Sequence, residues 1–327
     1  MHVLVIGAAG MVGRKLTDRL IGDGQLNGRK IDTLTLADVV ASDRTAGGSG
    51  IDVRVRTGDM AGADATTDLV RDRPDVIFHL AAIVSGQAEQ DFELGYRVNF
   101  DGVRNLVEAI RLAGDDYCPR LVFTSSIAVF GAPFPDPIPD TWYHTPLTSY
   151  GTQKAVGELL LSDYTRRGLL DGVGIRLPTI VVRPGAPNKA ASGFFSGIIR
   201  EPLQGTEAIL PVDESVRHWV ASPRSAVGFL IHAAGLDKAT LGHPVSMTMP
   251  GLDITVGEMI ATLEKVAGKK VVDRIRREPD PFIQSMVAGW PEAFDTRRAL
   301  DLGFRSESRF EDIINIFIED ELQGRIA

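Results

Sequence analysis

At 327 residues, 44% hydrophobic and 24% charged, the chain has the composition of a globular protein of about two domains or one large one, not of a disordered or fibrous chain. Its 35 basic and 43 acidic residues leave a formal net charge of −8, so the broad basic footprint of a nucleic-acid-binding protein is missing and no nucleic-acid partner is expected. A single cysteine, Cys118, excludes an internal disulfide and a thiolate metal site, and fits a reducing compartment.

In chain order, residues 3–6 form a short, wholly apolar run, as a parallel strand covered on both faces requires. No cationic leader precedes it, and no stretch approaches the ~18 apolar residues of a membrane span, so a cytoplasmic protein without a membrane partner is expected. Val12, Leu16 and Leu20 then recur every four residues among charged neighbours, which predicts an amphipathic helix. Strands are predicted at 33–37, 53–56, 76–80, 121–125 and 174–182, with helices at 98–112 and 150–166, and residues 45–50 read as an exposed loop. This alternation predicts an α/β fold, a doubly wound parallel sheet with right-handed crossovers and helices on both faces. Past residue 184 the pattern loosens: helices at 193–200, 225–235, 254–267 and 309–322 are expected, with Thr255 as an N-cap and a strand-like run at 245–249. The expected division is a first domain, 1–180, and a smaller C-terminal lobe, 181–327, with segments returning to the first domain.

An expectation of nucleotide binding rests on Gly7, Gly10 and Gly13, which join the first strand to the first helix in GxxGxxG spacing. Gly7 suits a tight turn, Gly10 lets backbone approach a pyrophosphate at the helix N-terminus beside Met11 and Val12, and Gly13 lets helix pack on strand. Asp38, just past the second strand, is placed to accept hydrogen bonds from the adenosine ribose and to repel a 2′-phosphate, which favours NAD over NADP. Asp59, after the third strand, is a candidate for the adenine end or a simple turn residue.

Tyr150 and Lys154 lie four apart at the start of a helix and so share a face. A lysine ammonium one turn away favours a tyrosinate, which can remove a hydroxyl proton while hydride leaves the adjoining carbon. Thr124-Ser125-Ser126 ends a predicted strand on the side where α/β sheets bind ligands, and Ser126 or Ser125 can donate to the substrate oxygen. The six histidines are scattered, none forms a ligand pair, His79 reads as a core residue, and no metal is expected.

These landmarks, with Leu80-Ala81-Ala82, Asn99, Ser125 to Gly131, Arg176-Leu177-Pro178-Thr179 and Asp295-Thr296-Arg297-Arg298, together resemble the extended short-chain dehydrogenase/reductase (NAD-dependent epimerase/dehydratase) family over nearly the whole chain. The resemblance implies a Rossmann-type NAD-binding domain over 1–180, a substrate-binding lobe over 181–327, and a Ser126, Tyr150, Lys154 catalytic group with Ser125 as the alternative serine. It also implies Lys154 on the nicotinamide ribose, and Leu80, Ala81, Ala82, Asn99 and Pro178 near the cofactor. Two departures stand out: Phe130 replaces a tyrosine usual in the serine stretch, and Arg176 to Gly185 lacks the Arg-Tyr-x-Asn-x-Tyr-Gly-Pro pattern common in nucleotide-sugar enzymes. The segment from Arg176 to Leu203 is instead similar to a branch of the family that oxidises the four-carbon sugar acid D-erythronate at C2 with NAD. Such an anionic small-molecule substrate needs a cationic clamp, for which Arg183 and Arg217 are candidates, with Ser192, Asn188 and Trp219 as neighbours. A nucleotide-sugar epimerase or dehydratase, an L-threonine dehydrogenase and a non-catalytic NAD-binding regulator remain the alternatives. In many relatives the helices at 98–112 and 150–166 form a dimer face, so a homodimer is compatible with the resemblance.

Overall fold

The computed structural model describes residues 1–44, 50–185 and 192–327, so most of the loop expected at 45–50 lies outside the described residues. Seven strands form the central sheet: β1 (His2–Ile6), β2 (Thr33–Asp38), β3 (Asp52–Thr57), β4 (Val76–His79), β5 (Arg120–Ser126), β6 (Asp171–Leu177) and β7 (Ser246–Thr248). Their order across the sheet is β7-β6-β5-β4-β1-β2-β3, and every neighbouring pair is parallel. Side chains of the inner strands are apolar on both faces because helices cover both: Val3, Leu4 and Val5 are fully buried, as are Ile77 and Phe78.

The helices are α1 (Met11–Asp23), α2 (Ala63–Arg71), α3 (Gly102–Leu112), α4 (Ser149–Arg166), α5 (Gly193–Leu203), α6 (Pro223–Gly235), α7 (Val256–Ala267) and α8 (Phe310–Leu322), with shorter turns between them. α2, α3 and α4 pack in succession, while α1 packs on α6, and both α4 and α6 lie against β5 and β6. The chain leaves β1 for β2 on one side and reaches β4 on the other, so a crevice opens beyond the carboxyl ends of β1 and β4.

A second hydrophobic core gathers Phe195, Ile198 and Ile199 of α5, Met259 and Leu263 of α7, and Ile313, Ile314 and Phe317 of α8. A small sheet lies beside it, in which Thr179–Ile180 runs parallel to Arg217–Ala221 and the latter antiparallel to Leu252–Thr255.

Three predicted boundaries move. The run at 174–182 divides, because Pro178 has no N–H to continue the ladder: β6 ends at Leu177, and Thr179–Ile180 joins the small sheet instead. The run at 245–249 supplies β7, an edge strand of the central sheet. The helix predicted from 254 begins at Val256, since Ile254 still pairs with His218 in the small sheet. Thr255 is its N-cap in a reciprocal capping box, accepting from the Glu258 N–H at 3.1 Å while the Glu258 carboxylate accepts from the Thr255 N–H at 2.8 Å.

Candidate active site

Where β1 turns into α1, two glycines stand where a side chain has no room. A Cβ at Gly13 would stand 2.1 Å from the Gly7 carbonyl oxygen, and one at Gly7, where φ is +91°, would stand 2.5 Å from the Ala81 nitrogen. Gly7, Gly10, Met11, Val12 and Gly13 therefore form one wall of a cavity of about 490 Å³, with Leu80, Ala82 and Pro178 on other sides. Ala81 sits behind this wall, against Gly7. Asp38 ends β2 and accepts a hydrogen bond from the Ala9 N–H at 2.8 Å, which ties its carboxylate to the glycine loop.

Asp59 is further out: it pairs with Arg97 and accepts from the Ala61 N–H, the turn chemistry of its Gly-Asp dipeptide. Buried Asn99 binds both the N–H and the carbonyl of Ile83 and donates to Gln153 of α4 at 2.7 Å. It thereby ties the chain after β4 to the helix that carries Tyr150.

Ser126, Tyr150 and Lys154 line the same cavity. Ser126 is the last residue of β5 and its hydroxyl accepts from the Ala128 N–H, while Thr148 caps α4 and sets Tyr150 in the first turn. Burial raises the Tyr150 phenol above its ordinary value, and a hydrogen bond with Ser126 and the charge of Arg183 pull against that rise. Lys154, 2% exposed, donates to the Thr124 carbonyl at 2.8 Å, with its ammonium 5.7 Å from the centre of the Tyr150 ring. Burial brings it down to about 8, against the opposing charge of Glu158. Ser125 also borders the cavity, but its hydroxyl donates to Glu158 at 2.5 Å.

Arg183 and Ser192 stand at the far end, with the guanidinium donating to the Ser192 hydroxyl at 3.1 Å. No carboxylate among the described residues pairs with Arg183, and burial together with neighbouring Arg200 lowers its pKa. Arg217 stands elsewhere, bound to Asp253, Asp136 and Glu292, and does not line the cavity. Its charge is already met three times over. Trp219 is buried beside Phe294 and donates to the Met249 carbonyl, again off the cavity, and Asn188 lies outside the described residues.

Residues 3–229 match the NAD dependent epimerase/dehydratase family, about seven-tenths of the chain. The chain belongs to that family. It is 46% identical over 98% of its length to D-erythronate dehydrogenase of Cupriavidus necator, covering 98% of that protein. It is 42% identical to D-erythronate dehydrogenase of Haemophilus influenzae, covering 98% of this chain and 100% of that one. Among solved structures, the nucleoside-diphosphate-sugar epimerase from Agrobacterium tumefaciens is 61% identical and superposes with a TM-score of 0.97, over 100% of this chain and 96% of that one.

For a member of an NAD-dependent family the cavity wall fits the cofactor. Gly7 and Gly13 let the loop pack closely on its neighbours, Gly10 leaves the start of α1 open to the cavity, and the Asp38 carboxylate at the end of β2 is where a cofactor's adenosine ribose would be met and a 2′-phosphate repelled. No group of three or more metal-ligating side chains occurs among the described residues. His79 is a core histidine, held down to about 3 by burial and the Lys154 charge.

Sequence reasoning missed two sets of residues. Behind the serines, Glu158 binds Arg176 through paired contacts of 2.8 to 3.1 Å and meets His144 at 3.1 Å. Burial alone would raise the Glu158 pKa, but Arg176 and His144 more than offset it and hold the carboxyl near 2. The signal was present: Tyr150, Lys154 and Glu158 repeat at four-residue spacing along one helix face. His218 and Trp290 also line the cavity, from remote segments that carry no motif, beside Thr179, which the sequence showed only as the end of the Arg176 to Thr179 landmark and without a role.

Proposed function

We propose that this chain oxidises a small sugar acid with NAD, D-erythronate at C2 to 2-dehydro-D-erythronate, in the cytoplasm. Residues 1–180 serve as the cofactor domain and 181–327 as the substrate lobe, and the exposed Leu112 of α3 and Leu159 of α4 suit a homodimer. The observation that carries the substrate reading is Arg183, a cation at the cavity with no carboxylate partner among the described residues. A half-buried guanidinium without a carboxylate partner gains from an anion, and a carboxylate supplies one with two parallel hydrogen bonds. Arg183 and Tyr150 line the same cavity, so a carboxylate held on Arg183 can present the adjoining carbon, C2, to that phenol.

The proposed residue roles follow from these positions. Tyr150, as phenolate, takes the proton of the C2 hydroxyl, and Ser126 donates a hydrogen bond to the same oxygen. Lys154 favours the phenolate by its charge and keeps donors free for a ribose. Gly7, Gly10, Met11, Val12, Gly13, Asp38, Leu80, Ala81, Ala82 and Pro178 hold the cofactor, and Asn99 supports them from behind. Bound there, NAD accepts the hydride from C2, so that substrate and NAD give the 2-oxo acid, NADH and one proton. Ser125 is committed to Glu158, which supports Ser126 as the reacting hydroxyl.

The test is to follow NADH formation with purified protein across four-carbon and five-carbon sugar acids, simple 2-hydroxy acids, L-threonine and UDP-sugars. Turnover of D-erythronate with stoichiometric NADH is expected. Turnover of a UDP-sugar without net NADH would establish an epimerase instead, and activity on threonine alone would overturn the sugar-acid reading.

A further inference from the structure

Beyond the phenol and the arginine clamp, two hydroxyls of the cavity, those of Ser85 and Thr179, hold neither the backbone nor a charged group, and of the two only Thr179 is bonded to another side chain. Thr124 donates to the His79 carbonyl, Ser125 to Glu158, and Thr148 caps α4. Ser192 holds Arg183. Thr179 belongs to the two-residue strand that follows Pro178, is partly exposed, and contacts only His218 among side chains, with its hydroxyl 2.7 Å from Nε2. His218 is 2% exposed and is itself held by two aromatic neighbours. Phe195 stacks on it at 4.8 Å with the planes 5° apart, and Trp290 stands 5.4 Å away. Burial keeps the imidazole uncharged at neutral pH, at about 4. A rigid, neutral imidazole thus fixes one bond of the Thr179 hydroxyl and leaves its remaining hydrogen-bonding capacity toward the cavity.

We propose that Thr179 is the specificity-determining contact for a second substrate hydroxyl, beyond C2, and that His218 is the positioning residue that orients it. This rests on the sugar-acid reading above and deepens it. With the carboxylate on Arg183 and the C2 oxygen on Tyr150 and Ser126, a four-carbon sugar acid still carries polar groups on C3 and C4. A simple 2-hydroxy acid carries none. Met286, Trp290 and Pro291 also line the cavity, and of these only the Trp290 indole N–H can meet a hydroxyl, as a donor and not as an acceptor. A site built to hydrogen-bond a substrate hydroxyl rejects the analogue that lacks it, because its own polar group is then left unpaired.

The experiment compares D-erythronate with the 2-hydroxybutanoate of the same C2 configuration, in the wild type and in Thr179→Val, His218→Phe and the double variant. Wild type is expected to prefer the trihydroxy acid strongly. Thr179→Val should lower kcat/KM for D-erythronate by about 10- to 100-fold and leave 2-hydroxybutanoate within about 3-fold, which collapses the preference. His218→Phe preserves the stack with Phe195 and should produce the same substrate-selective loss, with the double variant no worse than either single one. Calorimetric titration of D-erythronate into the NADH complex should show the same ordering without turnover. Equal losses on both acids, or a preference unchanged by Thr179→Val, would overturn the assignment while leaving the sugar-acid reading in place. A wild type that binds NAD but oxidises neither acid would overturn that reading and this assignment with it.

Discussion

Gly151 sits one residue beyond Tyr150, in the first turn of α4, where that turn crosses the loop after Ser126. A Cβ there would lie 2.1 Å from the Ala128 carbonyl oxygen, 3.0 Å from the Ala128 carbonyl carbon and 3.1 Å from Pro146. The two closest atoms are backbone, so no side-chain rotation relieves the clash. Ordinary contact begins near 3.4 Å, so Gly151→Ala must part α4 from the 127–129 turn by more than 1 Å. Those two segments carry Tyr150 and Ser126. A displacement of about 1 Å between reacting groups costs on the order of 100-fold in rate. Overpacking of about 1–3 kcal/mol is partly offset by the ~1 kcal/mol helix preference of alanine over glycine, so the variant is expected to fold. The assay pairs kcat for D-erythronate oxidation with the dissociation constant for NAD, whose glycine wall is remote from residue 151. A fall in kcat of about 100-fold with NAD affinity held within about 3-fold is expected. Gly22→Ala in α1, where a Cβ meets nothing within 4 Å, is the control and should be neutral or stabilising by up to ~1 kcal/mol. Retention of kcat within about 3-fold by a folded Gly151→Ala protein would refute the reasoning.

Tyr150→Phe keeps the ring and removes the proton acceptor, so NAD binding should persist while kcat falls by about 100- to 10,000-fold; near-normal turnover would sink the proton-transfer assignment. Arg183→Met should lower kcat/KM for D-erythronate by about 10- to 150-fold through loss of charged hydrogen bonds, and should cost the neutral amide of the same acid much less. Equal losses on acid and amide would place the carboxylate elsewhere. Burial holds His79 at about 3 and His218 at about 4, against an ordinary 6.5. Between pH 6.5 and 4 the unfolded chain therefore binds protons at these sites that the folded chain does not. Stability then rises with pH across that window and is lost on acidification, by up to ~1.4 kcal/mol per pH unit for each histidine. Thermal unfolding from pH 7 to 5 reads this directly, His79→Leu should flatten the slope, and a Tm independent of pH would contradict it.

The parts of the fold legible in the sequence are those where one local pattern decides the outcome. The strand at residues 3–6 is apolar without interruption because both faces of β1 are covered, and α1 shows its buried stripe as Leu16 and Leu20. The run at 174–182 misled because apolar periodicity is blind to which sheet a strand joins. Its one internal signal was Pro178, and the missing N–H there is what hands the chain from one sheet to the other. β7 was legible as a strand but not as part of the central sheet, since its pairing with β6 spans some seventy residues of chain that build the second core.

The same distinction runs through the candidate site. The glycine loop and the Tyr150–Lys154 spacing are local, so residue type and separation suffice to bring them to one cavity. The two arginines are alike as sequence, each next to strand-forming residues and each able to grip a carboxylate. What separates them is pairing between remote strands: the antiparallel register that sets Trp219 opposite Asp253 delivers that carboxylate to Arg217, whereas Arg183 meets Ser192 and the backbone-bound Arg200. An arginine already matched to carboxylates gains little from an anionic ligand, and a half-buried one without them gains more. The discriminating quantity is therefore the charge balance around each guanidinium, which exists only once the chain is folded.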